Sequence, residues 1–379
     1  MARASNMKRP ISLIVSLLIT FLFPLTTPAQ AATLITLADV SHRDANGVFI
    51  DSSLVEEILP KGRLGKLLFE RPAGIKIWVI DIALIEEIAD LADGYKYLDS
   101  DGNEITAEPV VVANIWLNTL RSATRNASVY ALPYGNPSVT FLKKAAPGEL
   151  EIYRTLGFER LSAFLNRPVY RFDVESVQDK EPKEATAQLY TSLRKSVRLI
   201  NSIITAAEVE TVRLRLAQLL NPDLPKERSL ALNRSFATYV TKMNQRIRIS
   251  GGNYTITASK YQLPVTVINE FDQQVTLDLR VWTSNSRVIV GQIPRITVAA
   301  SSQLQIKVPL DVIASGETTL NLQLQTPTGK AFGSIKKIPL RLAVISPLTT
   351  WFTTALALIL LLTAVMQSWR RVKRRRTNG

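Results

Sequence analysis

Residues 75–94 read IKIWVIDIALIEEIADLADG. The first six, Ile75 to Ile80, form a short apolar run rich in β-branched and aromatic side chains, the composition of a buried strand. Asp81 ends the run. Ala83 to Ala92 (ALIEEIADLA) then places apolar residues at helical spacing until Gly94 stops it. The same alternation continues on both sides. Upstream, Thr33 to Val40 (TLITLADV) is apolar with Asp39 near its end, and Ser52 to Phe69 carries Leu54, Val55, Ile58, Leu64, Leu67 and Leu68 at partly helical spacing, interrupted at Pro60 to Gly65. Downstream, Glu108 to Ser122 has an apolar helical face of Val112, Ile115, Trp116, Leu117 and Leu120, and Ser128 to Leu132 (SVYAL) reads as a third strand. Three strands separated by helices predict right-handed crossovers and a parallel sheet, either a barrel fragment or a small doubly wound sheet.

Parallel sheets place their sites at the C-terminal ends of strands. Those ends here bring Asp39, Asp81 and the turn Tyr134-Gly135-Asn136 to one rim, with His42 just past the first strand. Asp39, His42, Asp81, Tyr134 and Asn136 are therefore the candidate binding residues. Asp39 and Asp81 are the candidates for catalysis, because two carboxylates can divide acid and base roles in glycoside hydrolysis. The competing role is N-capping, which suits Asp81 directly before Ile82 and Ala83. With one His and no Cys, thiolate metal sites, disulfide scaffolds and an Asp-His-His deacetylase centre are excluded, and no metal or cofactor is expected.

Beyond residue 180 the pattern changes. Glu184 to Leu220 reads as one helix, with Leu189, Leu193, Val197, Ile200 and Ile204 at spacings of three and four, and Ser229 to Gln245 as a second after the break Asn221-Pro222-Asp223-Leu224-Pro225. Together they predict a helical hairpin or linker over 181–250. Its cations, Arg194 to Arg248, read as a solvated face. From Gly251-Gly252 the period becomes two, in seven short runs ending with Ile338/Leu340/Leu342/Val344. That pattern predicts an antiparallel immunoglobulin-like sandwich over 251–345.

The two ends are apolar and flanked by bases. Arg3, Lys8 and Arg9 precede the run Ile11 to Phe23 and the small residues Ala29-Gln30-Ala31, the order of a secretory signal over 1–31. At the other end Leu348 to Trp369 is long enough to cross a ~30 Å hydrocarbon core, with Trp351 and Trp369 at interfacial positions. Six cations follow within 370–379, which predicts a cytoplasmic tail on anionic headgroups and an extracytoplasmic bulk. The chain carries 46 Lys and Arg against 32 Asp and Glu; removing the nine bases of these end segments, which hold no acid, leaves +5. The excess is topological, and no nucleic-acid partner is expected.

The fold class expected is thus α+β multidomain: an α/β parallel-sheet, partial barrel-like domain over 32–180, the helical hairpin, the sandwich and a single transmembrane helix over 348–369. Ile35 to Val139, with DVSHRDANGVFIDSSLVEEILPKGRLGKLL, IWVIDIALIEEIADLADGYK, WLNTLR and ALPYGNPSV, resembles an uncharacterised family of actinobacterial envelope proteins that are signal-bearing and C-terminally membrane-anchored. LPVTVINEFDQQVTLDL, TPTGKAFGS and the basic-ended span resemble that family's C-terminal part. The family is typically encoded near the peptidoglycan-precursor flippase, and the resemblance implies a setting in the cell envelope but no established activity. Family members are longer between the third strand and the helices, and they tend to have Asp where this chain has Asn136. Both departures weigh against an enzyme. The expectation is a non-catalytic, membrane-anchored binding or scaffold component, whose partners are membrane lipid and either a wall saccharide or a membrane protein of wall synthesis such as the flippase. The alternatives are a saccharide hydrolase and a purely structural stalk.

Overall fold

The computed structural model describes residues 33–71, 76–99, 101–172, 179–343 and 347–376. The signal-like segment 1–31 and the side chains of the basic tail lie outside the described residues. The first strand, β1 (Thr33–Leu37), is followed by two short helices, α1 (Ser53–Ile58) and α2 (Arg63–Phe69). Then come β2 (Lys76–Ile80), α3 (Ile82–Asp93), a hairpin of β3 (Tyr95–Leu98) and β4 (Glu104–Ala107), α4 (Val111–Thr124) and β5 (Ser128–Ala131). Helices α5 (Val139–Ala145) and α6 (Pro147–Leu165) lead to β6 (Tyr170–Arg171). Pairing is parallel throughout the order β1-β2-β5-β6, with Leu37 opposite Ile80 and Ile80 opposite Ala131. Trp78, Ile80 and Val129 are fully buried in this sheet, and α3 packs against both α4 and α6.

The region 181–250 corrects the linker reading. The run expected as one helix to Leu220 breaks at 202–206 into α7 (Glu184–Asn201) and α8 (Ala207–Arg215), and ends in a 3-10 segment, Leu216–Leu220, before α9 (Lys226–Gln245). All five residues of the 3-10 segment are buried. Tyr190, Leu193, Val197 and Ile200 line the inward face of α7, which packs on α9, where Leu232, Phe236, Val240 and Met243 are buried. These side chains belong to the same buried cluster as the parallel sheet, so the helices are a layer of one unit with it, the head, which runs from β1 to α9. The hydrophobic stripe that identified them as helices is also the reason they cannot stand apart in water.

The C-terminal strands are β7 (Ile247–Ser250), β8 (Tyr254–Ile256), β9 (Lys260–Asn269), β10 (Val275–Thr283), β11 (Val288–Val290), β12 (Ile296–Val298), β13 (Ser302–Val312), β14 (Gly316–Gln325) and β15 (Ala331–Leu342). They form two sheets, β12-β10-β14-β15-β8 and β11-β13-β9-β7. Strands β7 and β11 add to the seven expected. β8 runs parallel to β15, so the sandwich is not wholly antiparallel. β7 already pairs with β9, which moves the boundary from Gly251 back to the end of α9. The last helix, α10 (Pro347–Arg376), contains Trp351–Trp369, a stretch long and apolar enough to cross a membrane, with every side chain exposed.

Candidate functional site

The three strand ends do meet, but the chain itself fills the space between them. Asp81 is 1% exposed. One of its carboxylate oxygens accepts from Ala83 N–H at 2.9 Å, capping α3, and from Gly135 N–H at 3.0 Å, fastening the turn after β5. Burial pushes its pKa up to about 7, against the pull of those two N–H groups and with help from the nearby Glu87 and Glu86 carboxylates. Asp81, one of the two catalytic candidates, thus has its hydrogen-bonding oxygen committed to the backbone at a buried position, the capping role that competed with catalysis.

Asp39 is half-buried and lies elsewhere on the rim. It accepts from Val40 N–H at 2.7 Å and from the Arg63 guanidinium. Its backbone carbonyl accepts from the Asn221 side-chain amide at 3.2 Å, and the same amide reaches the Gly135 carbonyl at 3.5 Å. Asn221 thus closes the edge of the sheet from the far end of the 3-10 segment, and Ser138 N–H donates to Leu220 O at 2.8 Å beside it. Gly135 has φ +76°, and a Cβ there would sit 2.8 Å from Gln218 Cγ, so only glycine lets the segment close this far. Asn136 also has positive φ, at 45°, and its N–H closes a turn on Pro133 O; its contribution is to backbone shape.

His42 is 2% exposed and held by charges on both sides. Its Nδ1 lies 3.1 Å from Asp51 Oδ1 and 3.1 Å from Ser53 Oγ, with an Arg228 nitrogen at 3.3 Å. Its Nε2 faces the Asp39 carboxylate at 3.7 Å, beyond hydrogen-bond reach, and is otherwise unpartnered. Burial alone would lower its pKa, but Asp39, Asp51 and Glu87 together push it up to about 9 against the opposing Arg228. Tyr134 is buried, its hydroxyl donating to Glu86 Oε2 at 2.7 Å while Arg160 holds the other Glu86 oxygen at 2.9 Å. Burial and Glu86 hold that phenol far above its ordinary range.

The centre of this polar cluster is Glu87, which sequence reasoning passed over. It accepts from Ser41 Oγ at 2.7 Å, His42 N–H at 2.9 Å and Gln218 Nε2 at 3.1 Å, and the Arg43 guanidinium stands 3.6 Å away while also engaging Asp90. A legible signal existed: Glu87 lies among Leu84, Ile85, Ile88 and Leu91 on a helix, a position where a carboxylate is buried only with partners. The arrangement locks the loop 39–53 to α3 and to the 3-10 segment. Among the described residues no group of three or more His, Cys, Asp or Glu side chains could hold a metal ion.

The chain belongs to DUF6049, a family of unknown function whose model matches residues 159–378. No curated protein matches it. Among solved structures it is similar to WR4, an MSP family member of C. elegans, at 13% identity and a TM-score of 0.21 over 26% of this chain and 98% of that one. It is similar to native E. coli alpha-2-macroglobulin at 13% identity and a TM-score of 0.21, over 26% of this chain and 6% of that one. A FixG-related protein from Vibrio parahaemolyticus matches at 16% identity and a TM-score of 0.20, over 25% of this chain and 92% of that one.

Proposed function

We propose that this DUF6049 member is a non-catalytic, single-pass protein of the cell envelope, a binding or scaffold component of wall synthesis whose head and sandwich lie outside the cytoplasm. The observation that carries this reading is Trp351–Trp369: a helix long and apolar enough to cross a membrane, with every side chain exposed. In water that surface would drive association, and a bilayer is the solvent that removes the penalty. The cations of 370–376 directly after it favour a cytoplasmic tail, and the signal-like segment 1–31 favours export of the rest. The committed hydrogen bonds of Asp81 and Tyr134 favour a surface that binds over a cleft that reacts. The partners we propose are a wall saccharide or a membrane protein of wall synthesis such as the lipid-precursor flippase.

The native chain has no cysteine, so single-cysteine variants report topology without background. Thr328→Cys should react with a membrane-impermeant maleimide in intact cells, and Thr377→Cys only after permeabilisation. The opposite pattern would overturn the orientation. For the scaffold role, the detergent-solubilised full chain is titrated with peptidoglycan fragments and with the purified flippase. Saturable binding without product release is expected; turnover of the saccharide would overturn the non-catalytic reading.

A further inference from the structure

The two ends of the sandwich differ in what covers them. At one end the loop after β9 is sealed by the helical layer: Glu270 N–H donates to Arg246 O at 2.9 Å, the Arg246 guanidinium lies 4.1 Å above the Phe271 ring, and Phe271 is buried in the cluster shared with the head. At the other end three loops meet, 257–259, 284–287 and 313–315. Val312 N–H donates to Ser259 O at 2.7 Å, Ile313 N–H to Arg287 O at 2.8 Å, and the Arg287 guanidinium to Ser315 O. These loops contain no acid; Arg287 and the adjoining Lys260 are exposed, and Ile313 stands out at 64% exposure. The carboxylates next to the third loop in sequence lie in the strands, Asp311 opposite Lys260 and Glu317 paired with Arg341.

Chain length decides what this end faces. Leu342 ends β15 opposite Gly316, at the base of the 313–315 loop, and α10 begins at Pro347. Five residue steps reach at most ~18 Å even when fully extended. The free end of the sandwich is therefore tied close to the point where the apolar helix enters a bilayer. We infer that it is a membrane-docking face: Ile313 inserts among the headgroups, Arg287 and Lys260 engage anionic lipid phosphates, and the hydroxyl-rich loops around them lie in the interfacial layer. The head is then held at a fixed height and tilt above the bilayer, where a flexible tether would let it wander. This inference rests on the reading of Trp351–Trp369 as a membrane span.

The test uses the full chain reconstituted in vesicles of equal parts phosphatidylcholine and phosphatidylglycerol, some headgroups carrying a nitroxide. A bimane label is placed at Ile313→Cys or, as the far-end control, at Lys330→Cys. Between them run the ten residues of β14, a rise of ~30 Å. The label at 313 should lose most of its fluorescence and shift to the blue, while that at 330 keeps both. Adding Lys260→Gln and Arg287→Gln should restore much of the 313 signal with phosphatidylglycerol present and change little in phosphatidylcholine alone; an unchanged signal with both lipids would overturn the electrostatic contact. Extraction with alkaline carbonate separates the two readings. A chain that resists extraction yet shows equal, unquenched labels at 313 and 330 overturns the docking face and leaves the anchor standing. A chain that is extracted overturns the anchor and the docking face with it.

Discussion

The Asp81 carboxylate serves two backbone N–H groups, one starting α3 and one in the turn after β5, the latter 54 positions away from Asp81 in sequence. Removing it leaves both donors without a partner in a dry site. Asp81→Ala should therefore lower the unfolding free energy by about 2 kcal/mol. Asp81→Asn keeps an accepting oxygen and carries no charge, so its effect depends on pH. The folded-state pKa, near 7, lies above the ordinary 3.8. The contribution of Asp81 to stability is thus complete below about pH 4 and is lost as pH rises through 7. Relative to the native chain, the Asn variant should gain stability between pH 4 and pH 8, as read from urea denaturation at both values. A pH-independent loss would show that the site needs an anion. The capping half of this role was legible, because a cap lies two residues from its donor. The half that fastens Gly135 was not, because nothing in either local pattern records that β2 and β5 are neighbours.

Among elements, α6 shows why a helix can escape detection and still be central. Its buried positions are Glu149, Leu150, Tyr153, Gly157 and Leu161, so the inward face reads as mixed polar and small and gives no apolar period. Each departure has a cause in packing. A Cβ on Gly157 would meet Leu132 O at 2.5 Å, because the helix lies directly on the end of β5. Tyr153 turns its hydroxyl to Tyr190 at 3.1 Å and to Arg213 O at 3.2 Å. Glu149 receives two bonds from Arg213 at 2.8 Å each, which joins α6 to α8. Glu149 is 2% exposed and Arg213 18%. Truncating the acid would leave a half-buried guanidinium without its partner. Glu149→Ala should cost about 3 kcal/mol in chemical denaturation, the usual penalty for breaking such a pair. Replacing both partners with Met should recover much of that loss, since neither charge then remains to be solvated. A loss under about 1 kcal/mol for the single change would reduce the pair to a surface contact. By contrast α3 and α7, whose buried faces are almost wholly apolar, stand out in the sequence.

At the scale of the whole molecule, the change of period at Gly251 marks a change of architecture but not an end of the core. One buried cluster runs from Ile35 in β1 through the helical layer to Val267, Phe271, Val275, Leu277, Ile296 and Val298 of the sandwich, while a second, within the sandwich, holds Leu263, Val308, Leu320 and Leu340. The strand residues that join the head look like ordinary inward positions, so sequence periodicity could not distinguish a sandwich on a stalk from one fused to its neighbour. Fusion predicts coupled unfolding. Phe271 is fully buried at the junction, its N–H donating to Asn269 Oδ1 at 3.0 Å and its carbonyl accepting from Ser301 N–H at 2.7 Å. Phe271→Ala should remove about 3–5 kcal/mol, as for other large-to-small core changes. If head and sandwich share one cooperative unit, native-state hydrogen exchange in this variant should speed up together for β2 amides in the head and β9 amides in the sandwich, with a single calorimetric transition at lower Tm. Independent domains would give a different result: faster exchange confined to β9 and its partners, an unchanged β2, and two resolved transitions.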